Sequence, residues 1–328
     1  MKIAMILDQE WQEKFFTAKA MEKLASMAEL SIIEGAPTYE KVKAAIKDAD
    51  FAITSWGNEG VSFPADILDQ CPNLKMIMHA GGSVKGIVSD EVWERGIRVA
   101  CCTQSLGIGV AETALGFAIS ASKNFYQLSD EIHAGGYSAH DIKELYNIKV
   151  GVISAGFVGR HFIKLMHNFG VEILLYDPTV NEERAAELGV TKMEFEDLLR
   201  ESDIVSIHAP TLPETHHLFN ADTLKLMKKD AVLINTSRGW LIDEKALYEH
   251  MAAGNLKYAC LDVYDPEPPL ADNPLRTLKN VILTPHLAGL KANGLARLGD
   301  DSVRQIENFL AGKPLECEVT KEMLATIA

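Results

Sequence analysis

Long apolar runs are scarce in this chain. The opening stretch, MKIAMILDQE, turns polar at Asp8, well short of a signal-peptide core, and no later segment is read as long enough to span a bilayer. A soluble protein of the cytoplasm is therefore expected, with no membrane partner. Basic charge is also short. With 46 acidic against 32 basic residues and a net charge of −14, and with no extended Lys/Arg run, the surface repels a phosphate backbone, so nucleic acid is not expected as a partner. Cysteine is sparse: Cys71, Cys101, Cys102, Cys260 and Cys317 make an odd count without a C-x-x-C pair, which argues against both a disulfide framework and a zinc site. The histidines show no H-E-x-x-H spacing, so no metal is expected. Internal repeats and low-complexity segments are absent as well.

What is present is alternation. At 328 residues and 47% hydrophobic, the chain has material for two cores of ordinary domain size. Short apolar runs alternate with amphipathic stretches almost from end to end, the pattern of parallel sheets covered by helices, so the fold class is α/β. KIAMILD, LSIIEG, DFAITSW, LKMIMHAG and IRVACC are expected to form a first, five-stranded sheet. IKVGVIS, VEILLYD, DIVSIHAP, AVLINTS, YACLDVY and NVILTPH are expected to form a second, six-stranded one of dinucleotide-binding type. Between the two series, VAETALGFAISASKNFYQL reads as a long helix suited to packing between domains or subunits. After TPHLAG one more helical stretch, NGLARLGDDSVRQIENFLAG, is expected to cross back to the first domain before an irregular tail.

The segment GVISAGFVGR carries the most specific local signal. It runs from an apolar strand into a turn with Gly156 and Gly159, and Ser154 stands where G-x-G-x-x-G has its first glycine. A helix follows, then a strand ending in Asp177, at the roughly 20-residue spacing where an acidic side chain meets the adenosine ribose. The second glycine lets the backbone approach a pyrophosphate and the third lets helix pack on strand, whereas the first mainly eases the bend. The substitution at Ser154 is thus expected to be tolerated. Asp177 would repel a 2′-phosphate, so NAD is expected, with NADH preferred over NADPH.

GVISAGFVGR, DIVSIHAPTLPETHHLFN, LKLMKKDAVLINTSRGWLIDEKAL, GNLKYACLDVYDPEPP and NVILTPHLAG together resemble the D-isomer-specific 2-hydroxyacid dehydrogenases, the family of phosphoglycerate dehydrogenase and of glyoxylate and hydroxypyruvate reductases. The resemblance runs from about residue 70 to residue 310. It implies a flavodoxin-like substrate domain split between residues 1–101 and 290–328, a Rossmann NAD-binding domain over 102–289, and a homodimer formed through the 110–124 helix and the arm after it. It also implies interconversion of a 2-oxo acid and a D-2-hydroxy acid. Arg238, at a strand end, has the fork geometry to hold a carboxylate and a carbonyl. His286, after Pro285, is suited to donate a proton near neutral pH, and Glu267, in DVYDPEPP, would bond the imidazole and favour its charged form. Singly, each has an ordinary explanation: a surface ion pair, a satisfied histidine, a loop carboxylate. Jointly, all three fall at carboxyl ends of strands, where open α/β sheets bind ligands. Further cofactor contacts implied by the resemblance are Phe157, Val158, His208, Ala209, Pro210, Thr215, Thr236, Ser237, Asp262, Ala288 and Gly289, beside Arg238 and His286 themselves. Asp262 is expected to meet the nicotinamide carboxamide.

Departures from the family pattern gather around the substrate. HAGGSVKGI replaces the usual A-G-x-G-x-D-N loop, whose N–H groups hold the substrate carboxylate, here from Gly82 and Ser83. Lys85 stands where an acid is usual; it is a candidate for a second anionic group of the substrate or a solvated surface lysine. Trp56 is a candidate pocket wall or core residue, and His79 is open between the same two roles. Formate dehydrogenases have glutamine where this chain has Glu267, which argues against formate. The alternative is an NAD(H)-gated binding protein like the C-terminal-binding corepressors, which keep the same Arg, Glu and His.

Overall fold

The computed structural model describes residues 1–56, 63–289 and 291–325. The chain divides into two compact units, Met1–Leu106 with Leu290–Ala328, and Gly107–Gly289. The boundary expected at residue 290 and the last three residues of the tail lie outside the described residues, as do residues 57–60 of the loop after Trp56.

The first unit holds β1 (Lys2–Ile6), β2 (Glu29–Ile32), β3 (Phe51–Ser55), β4 (Met76–Ala80) and β5 (Arg98–Cys101). All pair in parallel, in the order β2-β1-β3-β4-β5, the flavodoxin-like order. β3 and β4 are buried at every position, which is why both read as unbroken apolar runs: helices cover both faces of a parallel sheet. Asp8 ends β1 and starts helix Gln9–Phe15 by accepting the N–H groups of Glu10 and Trp11. The late helix Ala296–Leu310 returns to this sheet and buries Leu298, Val303 and Ile306 among Ile3, Met5, Phe51, Met76 and Met78. The tail after it is less irregular than expected. Cys101 N–H donates to Cys317 C=O at 3.1 Å and Val319 N–H to Val99 C=O at 2.8 Å, so the tail adds a short antiparallel contact to the β5 edge.

The second unit holds β6 (Lys149–Ile153), β7 (Glu172–Tyr176), β8 (Thr191–Lys192), β9 (Ile204–Ile207), β10 (Val232–Asn235), β11 (Tyr258–Leu261) and β12 (Val281–Leu283). These form one parallel sheet in the order β12-β11-β10-β9-β6-β7-β8. That is a doubly wound sheet whose direction of growth reverses beside β6. The seventh strand, β8, was not expected; at two residues it is too short for a periodic signal.

One expectation needs correction. Helix Thr103–Ser122 is long and apolar enough to cross a membrane by length and composition alone. Its apolarity has another cause. Ala111, Ala114, Phe117, Ala118 and Ala121 are buried in the core of the second unit with Val150, Val152 and Phe162. The small side chains let the helix lie close on the sheet.

Candidate active site

The reversal in the second sheet falls between β6 and β9, so a crevice is expected outside their carboxyl ends. The glycine turn lies there. Gly159 has no alternative: a Cβ would lie 2.0 Å from the Ser154 carbonyl oxygen, so helix Phe157–Met166 can approach β6 only with glycine at this point. Gly156 differs. Its Cβ position meets nothing within 4 Å, and it caps a helix whose first N–H groups receive no side-chain cap. An open cradle in front of bare helix N–H groups suits a pyrophosphate. Phe157 and Val158 are partly buried in the first turn of that helix, and Arg160 lies over the Phe157 ring at 5.0 Å while donating to Ala155 C=O at 3.0 Å.

Ser154 has φ 74°, in the left-handed region that glycine occupies without strain. The first glycine of the motif thus supplies more than an easier bend, and the serine accepts a backbone cost in its place. Its hydroxyl donates to Asp177 at 3.3 Å. Asp177 is 6% exposed, and its carboxylate also accepts Ala155 N–H at 2.8 Å, Thr179 N–H at 2.8 Å and Thr179 Oγ1 at 2.7 Å. Burial works to raise its pKa, but these donors outweigh it and hold the carboxyl below the usual range. Asp177 therefore closes the turn onto the end of β7. A ribose diol would share these acceptor positions, the long contact with Ser154 being the weakest competitor.

After β9, His208 is buried; burial depresses its pKa to about 3, so the ring is neutral. One ring nitrogen, Nε2, pairs with Ser206 Oγ at 3.0 Å, while Nδ1 has no partner. Thr236 Oγ1, after β10, is also buried without a partner. Two orphaned polar atoms at adjacent strand ends fit a site that expects polar ligand groups. Ala209 and Ala288 are buried, and Pro210 and Gly289 are partly so. Thr215 is occupied internally, its hydroxyl donating to Pro210 C=O at 2.8 Å and accepting Leu212 N–H at 2.9 Å. These residues fit a dinucleotide.

Arg238, Glu267 and His286 also lie beyond strand ends of this sheet. His286 Nδ1 is hydrogen-bonded to Glu267 Oε1, and both side chains remain partly open to solvent. Arg238 bonds to neither; its Nη1 donates to Ser237 C=O at 2.6 Å and its side chain is exposed. Three devices that sequence reasoning missed organise the surrounding loops. Asn235, fully buried, accepts Ser237 N–H at 3.1 Å and donates to Arg238 C=O at 2.9 Å, which builds the arginine's turn. Gly239 lies on the backbone of the glutamate's loop, where a Cβ would be 1.9 Å from the Tyr264 carbonyl carbon. Tyr264 in turn donates to Thr284 C=O at 2.8 Å, fixing the histidine's segment. A polar residue at the end of an apolar strand, as Asn235 is, was the available signal.

Asp262 is 0% exposed, and its carboxylate accepts Leu287 N–H at 2.9 Å, Ala288 N–H at 2.7 Å and the Thr284 hydroxyl. It holds both sides of His286, whose φ is 49°. In the first unit, Gly82 is partly buried while Ser83 and Lys85 are exposed in the loop after β4. Trp56 packs edge-on against Trp11 and Phe15, at 5.6 and 5.4 Å between ring centroids, as a core residue does.

A glycine turn at the reversal of a doubly wound sheet, with an acid at the next strand end and a histidine–carboxylate pair beyond the same sheet, defines the class as a dinucleotide-binding fold. Comparison narrows the class. The model for the D-isomer specific 2-hydroxyacid dehydrogenase NAD-binding domain matches residues 115–288. A D-3-phosphoglycerate dehydrogenase of Methanocaldococcus jannaschii is 34% identical over 300 residues, covering 90% of this chain and 56% of the relative. The chain thus spans little more than half the length of that relative. A hydroxypyruvate reductase of Thermotoga maritima is 30% identical, covering 88% of this chain and 94% of the relative. Among solved structures, an acyclic imino acid reductase in complex with NADPH and D-Arg superposes with a TM-score of 0.76 at 25% identity, over 98% of this chain and 100% of the other. The chain belongs to the D-isomer specific 2-hydroxyacid dehydrogenase family.

Proposed function

We propose that this protein is an NAD-dependent oxidoreductase that interconverts a 2-oxo acid and a D-2-hydroxy acid. The observation that carries the reading is the His286–Glu267 pair beyond the carboxyl ends of a sheet whose glycine turn and orphaned polar atoms fit a dinucleotide. Bound there, the nicotinamide supplies or accepts the hydride. His286 does the proton work: as imidazolium it protonates the oxygen formed at C2 during reduction, and as imidazole it takes that proton back during oxidation. Glu267, on Nδ1, fixes the direction of the ring and leaves Nε2 to face the substrate. Arg238 binds carboxylate and carbonyl together and stabilises charge as it develops on the oxygen. We assign carboxylate binding also to the N–H groups of Gly82 and Ser83, with residues 1–101 and 290–328 as the substrate domain and 102–289 as the cofactor domain. Lys85, in the same loop, is the candidate for a second anionic group on the substrate by position, whereas the packing of Trp56 favours its core role.

Asp177 supports NADH over NADPH, because its ionised carboxylate closes the turn where a 2′-phosphate would sit. The NADPH in the imino acid reductase makes this preference one to measure. Exposed Phe125, Ile132, Tyr137 and Tyr146 on the segment after helix Thr103–Ser122 support a homodimer through that arm. A location in the cytoplasm fits the free, buried state of all five cysteines.

The test is NADH oxidation with glyoxylate, hydroxypyruvate, pyruvate and longer 2-oxo acids. Turnover of ~1 per second or faster with at least one of them is expected. NADH binding without turnover of any member would favour a nucleotide-gated binding protein.

A further inference from the structure

His79 is the fourth residue of β4, on the face opposite Met78 and Ala80, which point into the core under helix Ala296–Leu310. The ring is 2% exposed. In the parallel register Thr54 of β3 lies beside it, and Thr54 Oγ1 is 2.9 Å from Nδ1. Burial depresses the ring's pKa to about 4, so it is neutral at any working pH. Its other edge lies against Gly81. A Cβ on Gly81 would be 2.3 Å from Nε2 and 2.9 Å from Cδ2. Gly81 is not among the glycines of positive φ, so it is the ring and not the backbone angle that requires glycine here.

Gly81 is also tied through its backbone. Its N–H donates to His79 C=O at 2.8 Å, and its C=O accepts Cys102 N–H at 2.8 Å. Three residues later, Val84 C=O accepts Ile87 N–H at 2.9 Å. Between these anchors, the N–H groups of Gly82 and Ser83 donate to no acceptor among the described residues. Successive free N–H groups on an anchored loop form an anion-binding concavity, and their direction governs the bond, because hydrogen bonds weaken steeply as they bend.

We propose that His79 is a positioning residue for substrate binding: its ring, fixed by Thr54 and packed under Gly81, sets the direction of the Gly82 and Ser83 N–H groups and hence the affinity for the carboxylate of a 2-oxo acid. This rests on the reading that the loop receives that carboxylate. His79 acts through the loop and does not take part in proton transfer, which belongs to His286.

The test uses the NADH complex of the whole protein, with the best 2-oxo acid of the panel and with oxamate as an unreactive mimic. His79→Ala removes the support, so KM and the oxamate Kd should rise together by ~10-fold or more, as for a hydrogen bond to a charged group. The turnover number, the NADH Kd and the pH profile should move little. His79→Gln keeps a neutral polar group of similar reach and should recover part of the loss. Gly81→Ala forces the ring aside from the other direction and should reproduce the KM effect; it carries the test should His79→Ala not fold. A fall in kcat at constant KM, or unchanged oxamate binding in both His79→Ala and Gly81→Ala, would overturn the proposal. Wild-type protein that turned over a 2-oxo acid while binding no oxamate would remove the carboxylate-loop reading beneath it, and the proposal with it.

Discussion

Asp262 accepts the backbone N–H of Ala288 at 2.7 Å and so ties the end of β11 to the loop that carries His286. Leu287 N–H and the Thr284 hydroxyl meet the same carboxylate, which leaves it little freedom to meet a ligand. His286 between them adopts a left-handed backbone, a conformation that costs about 1–3 kcal/mol and persists only where the surroundings over-determine it. Asp262→Asn keeps the shape but turns an amide donor toward backbone donors. The histidine should lose its place, and kcat should fall by about 10²-fold, the scale of a misplacement near 1 Å. Fluorescence titration should find NADH affinity changed by less than ~3-fold. A large loss of NADH affinity at unchanged kcat would instead assign Asp262 to the nicotinamide.

Ser154 and Gly156 should separate cleanly by substitution. Ser154→Gly relieves a left-handed serine, worth about 1–2 kcal/mol, against the greater unfolded-state freedom of glycine, about 0.5–1 kcal/mol. A small net gain in stability is expected from denaturant unfolding, with NADH binding retained. Gly156→Val fills the open cradle and should abolish binding. Asp177→Ala should narrow the preference for NADH while destabilising the turn, because the same carboxylate holds Ala155 and Thr179.

Acid stability should carry the mark of two buried histidines. His79 and His208 are held neutral, with pKa values lowered by burial to about 4 and about 3 from the ordinary 6.5. The unfolded chain therefore binds protons first as pH falls. Stability should be level above pH 6.5 and drop progressively below it, toward the folded values. Asp177, lowered from 3.8, adds its own loss only at still lower pH. Urea unfolding between pH 7 and 4.5 should show the decline, and His79→Gln should make it shallower. A profile unchanged by that substitution would mean that His79 does not titrate on unfolding in this range.

Much of this was legible in the sequence because the signals were local. Eleven of the twelve strands among the described residues stood out as apolar runs, and in the central ones, such as β3 and β4, burial on both faces leaves no polar alternation to blur them. β8 did not, because Thr191 and Lys192 bury little. The histidine–glutamate pairing was likewise readable, as both residues sit in motifs. Asn235, Asp262 and Thr54 act through partners 2 to 26 residues away or on the neighbouring strand, and single-residue patterns carry no sign of which N–H a buried carboxylate or amide will receive. Ser154 is the instructive case. The motif showed that glycine was missing but not that its positive φ would remain.

The role of Glu267 is open to a direct test by substitution. Its carboxylate is hydrogen-bonded to His286 Nδ1, which fixes the direction of the ring and leaves Nε2 for the proton that reduction delivers and oxidation removes. Glu267→Gln keeps the length and an acceptor oxygen, so the ring should largely keep its direction, whereas Glu267→Ala removes the partner altogether. kcat should therefore fall further in Glu267→Ala than in Glu267→Gln, in reduction and in oxidation alike, while the NADH Kd stays within about 3-fold of the wild type in both. His286→Ala should lower the rate by ~10²- to 10⁴-fold, since the proton donor itself is gone. Partial retention of activity in Glu267→Gln distinguishes loss of the ring's direction from general damage to the site, which would depress both glutamate variants equally. Wild-type turnover in Glu267→Ala would show that Glu267 does not position His286.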